Sequence, residues 1–403
     1  MNVDRSSLVR QFSRRVVAEA LLHDAPISRA NLARMTGLSK QTMSEVIAEL
    51  EAGGWVRSVG VTKGGVGRTA VTYEVDRGAA FSLGVDLGGT KVTAAITDLV
   101  GEIVAEETEP TDVRGGRQVV GQIRKLAAKL AASQSIDMAR IRSVVVGTPG
   151  VIDRATGAIT LVPNIKGLSE FDVPRALADL FGQTVVIEND VNLAMLGEAW
   201  RGCARGAGNA GFLALGTGVG LGLIVDGKLI RGATGAAGEI AYLPIGADVV
   251  SPEALAVGAF ELEVGSVGIV RRYRTAGGQP VETVRDVFAR LDAGDAVAAR
   301  VLDDTANTVA LAIAALHTIV DPQIVVLGGS VGIRPELVER VQRAMPTIFA
   351  RPVKVVASDL GSRAGLVGAV SLAVNRLHND LFGVRDLPGD LALPETGLAK
   401  AAE

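Results

Sequence analysis

The run Asp86-Leu87-Gly88-Gly89-Thr90-Lys91 puts a carboxylate, two glycines, a hydroxyl and an ammonium into six consecutive residues. Glycines in such a turn let backbone N–H groups approach phosphate oxygens without a Cβ clash. Asp86 is placed to hold a magnesium ion or its water. A second such turn, Gly216-Thr217-Gly218-Val219-Gly220, and a third, Gly328-Gly329-Ser330, recur further along, the third suited to an adenosine. A single glycine turn is more often a plain β-turn. Three of them, each at a strand end, point to a nucleotide cleft between two lobes. Glu188-Asn189-Asp190-Val191-Asn192 adds a different chemistry. An aspartate there can accept the proton of an alcohol attacking a phosphoryl group, and Asn189 beside it can orient hydroxyls. Either residue can also cap the helix that runs on to Trp200, and the two roles are compatible. Pro163-Asn164 and Gly238-Glu239 are weaker candidates for polyol contacts.

The elements that hold these residues alternate in type. Phe81 to Asp86, Val92 to Asp98 and Glu102 to Glu107 read as three successive strands, followed by a helix over Val119 to Ala132. Val144 to Val146 and Val185 to Glu188 are further strands. The theme then repeats: Phe212 to Leu215 and Leu221 to Val225 are strands, Asp226-Gly227 is a hairpin turn, and a long helix near 296–320 precedes a strand at Ile324 to Leu327. The pattern predicts an α/β domain over roughly 79–380, with a mixed sheet in each half. Residues 381–403, with Pro388, Gly389 and Pro394, read as a loosely ordered tail.

Residues 7–77 have a different rhythm. Leu8, Phe12, Val16, Val17, Ala20 and Leu21 line one face of a first helix that stops near His23 and Pro26. Ile27 and Ser28 open a second, with Ser28 its N-cap and Leu32 and Ala33 inward. Gly37 turns the chain, and Ser39 caps a third helix with Met43, Val46, Ile47 and Leu50 as its buried stripe. Two strands, Trp55 to Val61 and Arg68 to Val75, flank the glycine-rich tip Lys63 to Gly67. This is the outline of a winged helix-turn-helix over 1–77. In such a domain the third helix enters the major groove, so Ser39, Lys40, Gln41, Thr42 and Ser44 become candidates for base edges. Arg57, Lys63 and Arg68, on or beside the hairpin, are placed for phosphates or the minor groove.

Charge supports that division. The chain of 403 residues carries 44 acids against 41 bases. Residues 1–77 alone hold 11 Lys/Arg against 8 Asp/Glu, leaving 30 against 36 for the rest, so the front of the chain is the basic part. Cys203 is the only cysteine, which excludes an internal disulfide and points to a reducing compartment. No histidine lies between His23 and His317, so a zinc site lacks its usual ligands. The polar N-terminus lacks the apolar core of a secretory signal, and no apolar run is long enough for a membrane span. A cytoplasmic protein is expected.

These motifs resemble the ROK family (repressors, open reading frames, kinases), in particular its repressor branch of the xylose and N-acetylglucosamine repressor type. The likeness runs from about residue 10 to 378 and includes the winged helix that ROK sugar kinases lack. The Asp86–Lys91 turn, Gly147-Thr148-Pro149-Gly150, Glu188–Asn192 and Gly216–Gly220 carry it. The resemblance implies an actin-like, hexokinase-type ATPase fold of two lobes hinged over an ATP and sugar cleft. It implies Asp190 as the base of a kinase, and Asn164, Asn189, Asp190, Glu239 and Tyr242 around the sugar. Asp86, Gly88, Gly89, Thr90, Lys91, Gly216, Thr217, Gly218, Gly328 and Gly329 would meet ATP. Zinc-binding relatives have Gly-Glu-x-Gly-His; here the run is Gly238-Glu239-Ile240-Ala241-Tyr242, and Leu243 to Ala256 has no cysteine. Zinc is therefore not expected, while the ATP loops look intact.

The reading that follows is a sugar-responsive regulator of carbohydrate genes, a repressor, binding double-stranded operator DNA as a homodimer or higher oligomer. Its effector is a monosaccharide or sugar phosphate, and DNA binding requires no cofactor. The alternatives are an active ATP- and magnesium-dependent sugar kinase, and a DNA-binding protein whose effector is ATP alone or a non-sugar ligand.

Overall fold

A computed structural model describes residues 5–64, 68–153, 158–160, 165–246 and 248–383. The chain begins with α1 (Arg5–Asp24), β1 (Ile27–Ser28), α2 (Arg29–Thr36), α3 (Lys40–Ala52), β2 (Val56–Gly64) and β3 (Arg68–Val75). Next come β4 (Phe81–Leu87), β5 (Lys91–Thr97), β6 (Ile103–Pro110), α4 (Gly116–Ser133), β7 (Ile141–Thr148), β8 (Val151–Ile152) and β9 (Ile159–Thr160). They are followed by α5 (Val173–Phe181), β10 (Val185–Asn189), α6 (Asp190–Arg201), β11 (Ala210–Leu215), β12 (Val219–Val225) and β13 (Lys228–Leu229). A helical stretch holds α7 (Pro252–Val257), α8 (Ala259–Val264), α9 (Ser266–Thr275), α10 (Val284–Asp292) and α11 (Ala296–Val320). The chain finishes with β14 (Ile324–Gly328), the short turn α12 (Gly329–Gly332), α13 (Pro335–Ile348), β15 (Val355–Ala357) and α14 (Ala364–Phe382). Among the described residues no helix is long and apolar enough to cross a membrane.

These elements form two compact units. The first takes Met1–Val146, Val173–Ile187 and Ala369–Glu403; the second takes Gly147–Asp172 and Glu188–Gly368. The continuous helix α14 starts in the second and ends in the first.

In the first unit, α1 to β3 make the winged helix that the periodicity predicts. Ser28 Oγ accepts the Asn31 N–H at 3.3 Å and Ser39 Oγ the Thr42 N–H at 3.1 Å, which starts α2 and α3 at the anticipated places. Met43, Val46, Ile47 and Leu50 are buried at the spacing of one helix face. Two details differ from the sequence reading. Ile27 and Ser28, while leading into α2 with Ser28 as its cap, also pair as a short strand with Tyr73 and Thr72 of β3. Phe12 is not in the core: the inward stripe of α1 keeps the expected Val17 and Leu21 but continues back through Ser13, leaving Phe12 58% exposed. Ser13 is tolerated inside because its hydroxyl donates to the Val9 carbonyl at 2.9 Å. The tip residues 65–67 lie outside the described residues.

The winged helix does not close its core alone. Val17, Leu21, Leu32, Ile47 and Leu50 share one cluster with Ala80, Leu99, and Leu377, Leu381 and Phe382 of α14. The Arg14 guanidinium joins in, donating to the Leu381 carbonyl at 2.9 Å and to Glu49 at 3.2 Å. Further along α14, His378 is fully buried and sits 2.7 Å from the Leu99 carbonyl. Burial pushes its pKa down, so it stays neutral inside.

The two five-stranded sheets repeat one design. Their orders are β10-β7-β4-β5-β6 and β13-β12-β11-β14-β15. Counted within each sheet, both run 3-2-1-4-5. β4-β5-β6 and β11-β12-β13 are each antiparallel, while β14 lies parallel to β11 and to β15. The first hairpin of each sheet therefore carries one of the glycine turns, Gly88-Gly89 in one and Gly216–Gly218 in the other. Asp226 and Gly227, with φ of 51° and 72°, make the left-handed pair that a two-residue hairpin between β12 and β13 requires.

The end of α6 is locked by a buried acid. Glu198 is fully buried and accepts the Cys203 N–H at 3.0 Å, the Cys203 thiol at 3.2 Å and the Leu360 N–H at 3.1 Å, with the Ser358 hydroxyl as a fourth donor. Burial, followed by the Glu198 charge, pushes the Cys203 thiol up to about 12. The thiolate is the reactive form, so Cys203 is expected to resist Ellman's reagent in the folded protein at pH 8 and to titrate fully in denaturant. Stoichiometric labelling of native protein within minutes would contradict the lock.

Candidate functional site

Asn189, Asp190, the Gly216–Gly220 turn, Glu239, Tyr242 and Gly329 of the second unit line one cavity in front of the corner where β10 meets α6. Asn189 is the N-cap: its Oδ1 accepts the Val191 and Asn192 N–H groups at 2.9 and 3.0 Å, and its Nδ2 donates to the Gly150 carbonyl at 3.0 Å. The capping role is thus real, and it leaves only one amide hydrogen for a ligand. Asp190 takes the first helical position. Its Oδ1 accepts the Val191 N–H at 2.9 Å, and burial holds the carboxyl above the usual range.

Behind the pair stands Glu188, buried at the end of β10. Its Oε1 accepts both the Asn189 N–H and the Asn192 side-chain amide at 3.0 Å, and its Oε2 accepts Arg231 Nε at 2.6 Å. Glu188 therefore fixes the strand-to-helix corner from inside. Arg231, just beyond β13, was not foreseen, since nothing in the sequence shows that this short strand returns its end to β10.

In front of the pair is a cavity of about 930 Å³, lined by Asn189, Asp190, the Gly216–Gly220 turn, Glu239, Tyr242 and Gly329 among others. Gly238 explains how Glu239 arrives there. At φ 91°, a Cβ on Gly238 would stand 1.8 Å from the Leu221 carbonyl, and Leu221 N–H bonds to the Gly238 carbonyl at 2.9 Å. The loop is pinned to β12, and Glu239 follows it into the cavity. Its carboxyl is pushed up by burial, then by the nearby charges of Asp190 and Glu261.

Glu261, on α8, also lines the cavity and was missed. It lies 42 residues from the glycine turn, yet its Oε2 accepts the Val219 N–H at 2.9 Å, and burial raises its pKa. Two amides of the second glycine turn are thus used inside the protein, Val219 by Glu261 and Gly216 by the Gly218 carbonyl at 3.0 Å. At the third turn, the absence of a side chain has a packing cause. A Cβ on Gly328 would meet the Phe212 ring at 2.1 Å, and one on Gly329 would meet the Leu215 carbonyl at 2.3 Å. Gly329 still faces the cavity.

The Asp86–Lys91 turn belongs to the first unit. Gly88 N–H closes it on the Lys91 carbonyl at 2.9 Å, and Thr111 braces it, its hydroxyl on the Gly88 carbonyl at 2.7 Å and its N–H on that of Thr90 at 3.1 Å. Gly89, Thr90 and Lys91 are exposed, while Asp86 is partly buried and hydrogen-bonded. Asn164 lies outside the described residues.

On the winged helix, Ser39, Lys40, Gln41 and Ser44 are exposed at the start of α3. Several of their side chains have local partners. Ser39 and Thr42 hydroxyls lie 2.9 Å apart, Gln41 donates to Glu45 at 3.1 Å, and Ser44 donates to the Lys40 carbonyl at 2.9 Å. Arg57 is held by Glu74 at 2.7 Å, so it is less available to phosphate than its position suggests. Lys63 and Arg68 fall on β2 and β3, with their side chains outside the described residues.

Residues 82–376 match the ROK family, and residues 14–57 match the family described as winged helix-turn-helix DNA-binding. The chain belongs to the ROK family. A putative xylose repressor from Caldicellulosiruptor sp. (strain Rt8B.4) is 27% identical over 92% of this ROK chain and 97% of its own. A glucokinase from Thermotoga maritima is 30% identical, over 73% of this chain and 98% of its own. In fold, the chain resembles a ROK transcriptional regulator described as a homologue of the E. coli MLC protein, with a TM-score of 0.75 at 20% identity over 93% of this chain and 98% of that one.

A zinc ion does not fit the donor set of this ROK protein. The described residues lining the cavity include neither histidine nor cysteine, and Tyr242 offers a phenol whose hydroxyl donates to the Ala256 carbonyl at 3.4 Å. Among the described residues no group of three or more His, Cys, Asp or Glu is placed to hold a metal ion.

Proposed function

We propose that this ROK protein is a sugar-responsive transcriptional repressor. Residues 1–77 bind operator DNA, and a monosaccharide or sugar phosphate binds within 79–380. One observation carries the reading: a winged helix with Lys40, Gln41 and Ser44 exposed is joined, in one chain, to a cavity rich in hydroxyl-binding groups. Asp190 and Glu239 accept from sugar hydroxyls, and Asn189 donates its remaining hydrogen. Sugar shifts the DNA-binding equilibrium only as far as it binds two states unequally, and a homodimer is the form in which such a shift alters paired half-sites.

DNA affinity is expected to fall steeply with salt, since phosphate contacts release counterions. Gln41→Ala should relax base preference, at a cost of roughly 1–3 kcal/mol for a good bidentate contact. Arg57→Ala should change little, given its pairing with Glu74. Fluorescence anisotropy with labelled duplexes at several salt concentrations measures all three. Binding that ignores both salt and a Lys40→Glu change would exclude this helix as the DNA-reading element.

A second reading, an ATP-dependent sugar kinase, is favoured by the elevated pKa of Asp190 and the open first glycine turn. There the Asp190 carboxylate takes the hydroxyl proton as the sugar oxygen bonds to the terminal phosphorus, and the bond to ADP breaks. Asp86 would hold the magnesium ion, which neutralises phosphate charge. Within the second unit, Thr217, Gly218 and Gly329 would line the place for a nucleotide. An ADP-release assay across a sugar panel separates this reading from the first. Thermal shifts with nucleotides alone address an ATP effector.

A further inference from the structure

We infer that α14 carries sugar binding to the winged helix: a displacement of α6 passes, backbone against backbone, at Gly197 and Gly368 into α14, and α14 delivers it to the core that holds α3. The inference rests on the reading of the chain as a sugar-responsive repressor and names the element that makes it responsive.

The receiving end lies in the second unit. Asp190 is the first residue of α6, and Leu193 and Gly197 follow on the same helix. A Cβ on Gly368 would stand 1.7 Å from the Leu193 carbonyl, and one on Gly197 would stand 2.4 Å from the Ala364 carbonyl. The two helices therefore touch main chain to main chain where they cross. α6 meets β12 in the same way, since a Cβ on Gly222 would stand 2.6 Å from the Val191 carbonyl. Long side chains between two elements can absorb a small shift by changing rotamer, and a glycine contact has none to change. A sugar held by Asp190 on α6 and by Glu239, pinned to β12, thus acts on a block to which the start of α14 is fixed.

The delivering end lies in the first unit. Leu377, Leu381 and Phe382 are buried in one cluster with Ile47 and Leu50 of α3, and the Arg14 guanidinium of α1 grips the Leu381 carbonyl at 2.9 Å. Ala80 and Leu99, the other buried members of that cluster from outside the winged helix, flank strands that stay in the first unit. Of these described members only α14 runs on into the second.

Between its ends α14 is built to stay stiff. It has no proline, and no glycine after Gly368. The stretch from Gly368 to Phe382 is about 21 Å long at 1.5 Å per residue. Gly84 of β4 lets it lie directly on the first sheet, since a Cβ there would stand 2.7 Å from the Val370 nitrogen. β7 offers a rival route, for Arg142 stacks on Trp55 with its guanidinium carbon 5.4 Å from the ring centroid. That side chain is exposed, whereas coupling is carried by packed contacts and rigid elements.

The test uses the full chain and a labelled duplex that the protein selects from random DNA. The sugar is whichever of glucose, mannose, xylose and N-acetylglucosamine gives the largest thermal shift. Sugar should weaken DNA binding by the wild type tenfold or more, and by linkage DNA should weaken sugar binding by the same factor. Leu372→Gly combined with Arg376→Gly, at two half-buried positions midway along α14, loosens the helix between its ends. That variant should bind sugar alone and DNA alone within about threefold of the wild type, while the coupling falls below twofold in both directions. Gly197→Ala should wedge α6 from α14 and change sugar-free DNA affinity fivefold or more, with sugar still bound. Arg142→Ala should leave the coupling intact. Full coupling in the loosened helix overturns the inference, as does lost coupling in Arg142→Ala or wild-type DNA affinity in Gly197→Ala. Loss of DNA binding by the loosened helix without sugar also overturns it, reducing α14 to a support for the winged helix. If Gly197→Ala does not fold or bind sugar, the loosened helix alone decides. A wild type whose DNA affinity no sugar alters sinks the repressor reading itself.

Discussion

Asp190→Asn is expected to weaken sugar binding at least tenfold, to blunt sugar-driven release of DNA, and to raise the melting temperature of the ligand-free protein. The first effect follows from losing a charge-assisted acceptor, about 1.5–3 kcal/mol each. The third follows from burial, which raises the carboxyl's pKa in the folded state. Below the unfolded value, about 3.9, the group is protonated in both states and costs nothing. As pH rises through the raised folded value, the native protein must ionise a partly buried acid and loses stability. Asparagine avoids that loss and relieves Glu239 of a neighbouring charge. The melting temperature of the variant should exceed that of the wild type at pH 7, and the gap should shrink toward pH 4. If the chain is a kinase, turnover should also fall ~10²-fold. A variant with unchanged sugar affinity and an unchanged pH profile of stability would reduce Asp190 to an ordinary first-turn residue.

Phe382→Ala should abolish tight DNA binding although it lies more than 300 residues from α3. Phe382 is 1% exposed and shares its cluster with Leu21, Ile47 and Leu50 of the winged helix. Removing a buried phenylalanine costs about 3–5 kcal/mol, a large share of what a small domain has to spare. The cost should fall on the packing that holds α3 in place. Anisotropy with nonspecific duplex DNA at low salt reads the loss, and the sugar-induced thermal shift of the same variant serves as the control. Wild-type DNA affinity alongside an intact sugar response would show that the winged helix stands without α14.

Much of this was legible from residues alone because local chemistry decided it. Ser28 and Ser39 as caps, the stripe through Met43 and Leu50, the Asp226-Gly227 hairpin and the span of α11 all depend on neighbours within a few positions. The candidate site was legible in part, through the strand-to-helix corner at Asn189 and Asp190. What escaped depends on contacts between distant segments. Glu261 reaches the Val219 amide, Arg231 reaches Glu188, and α14 returns to the winged helix only after the fold is assembled. Phe12 failed for a subtler reason. Val17 and Leu21 of the expected stripe are buried, but one turn earlier the inward position falls on Ser13, polar yet buried, rather than on the more apolar Phe12 beside it.

The lock on Cys203 has a practical consequence for watching this protein at work. A chain whose single thiol is masked behaves as a cysteine-free background, so a cysteine introduced at one surface position can be tagged there selectively. A spin label or fluorophore on the exposed face of α3, and another on α7, could then report distances as sugar and DNA are added. No native residue would need to be replaced first, and Glu198 would keep its four donors throughout.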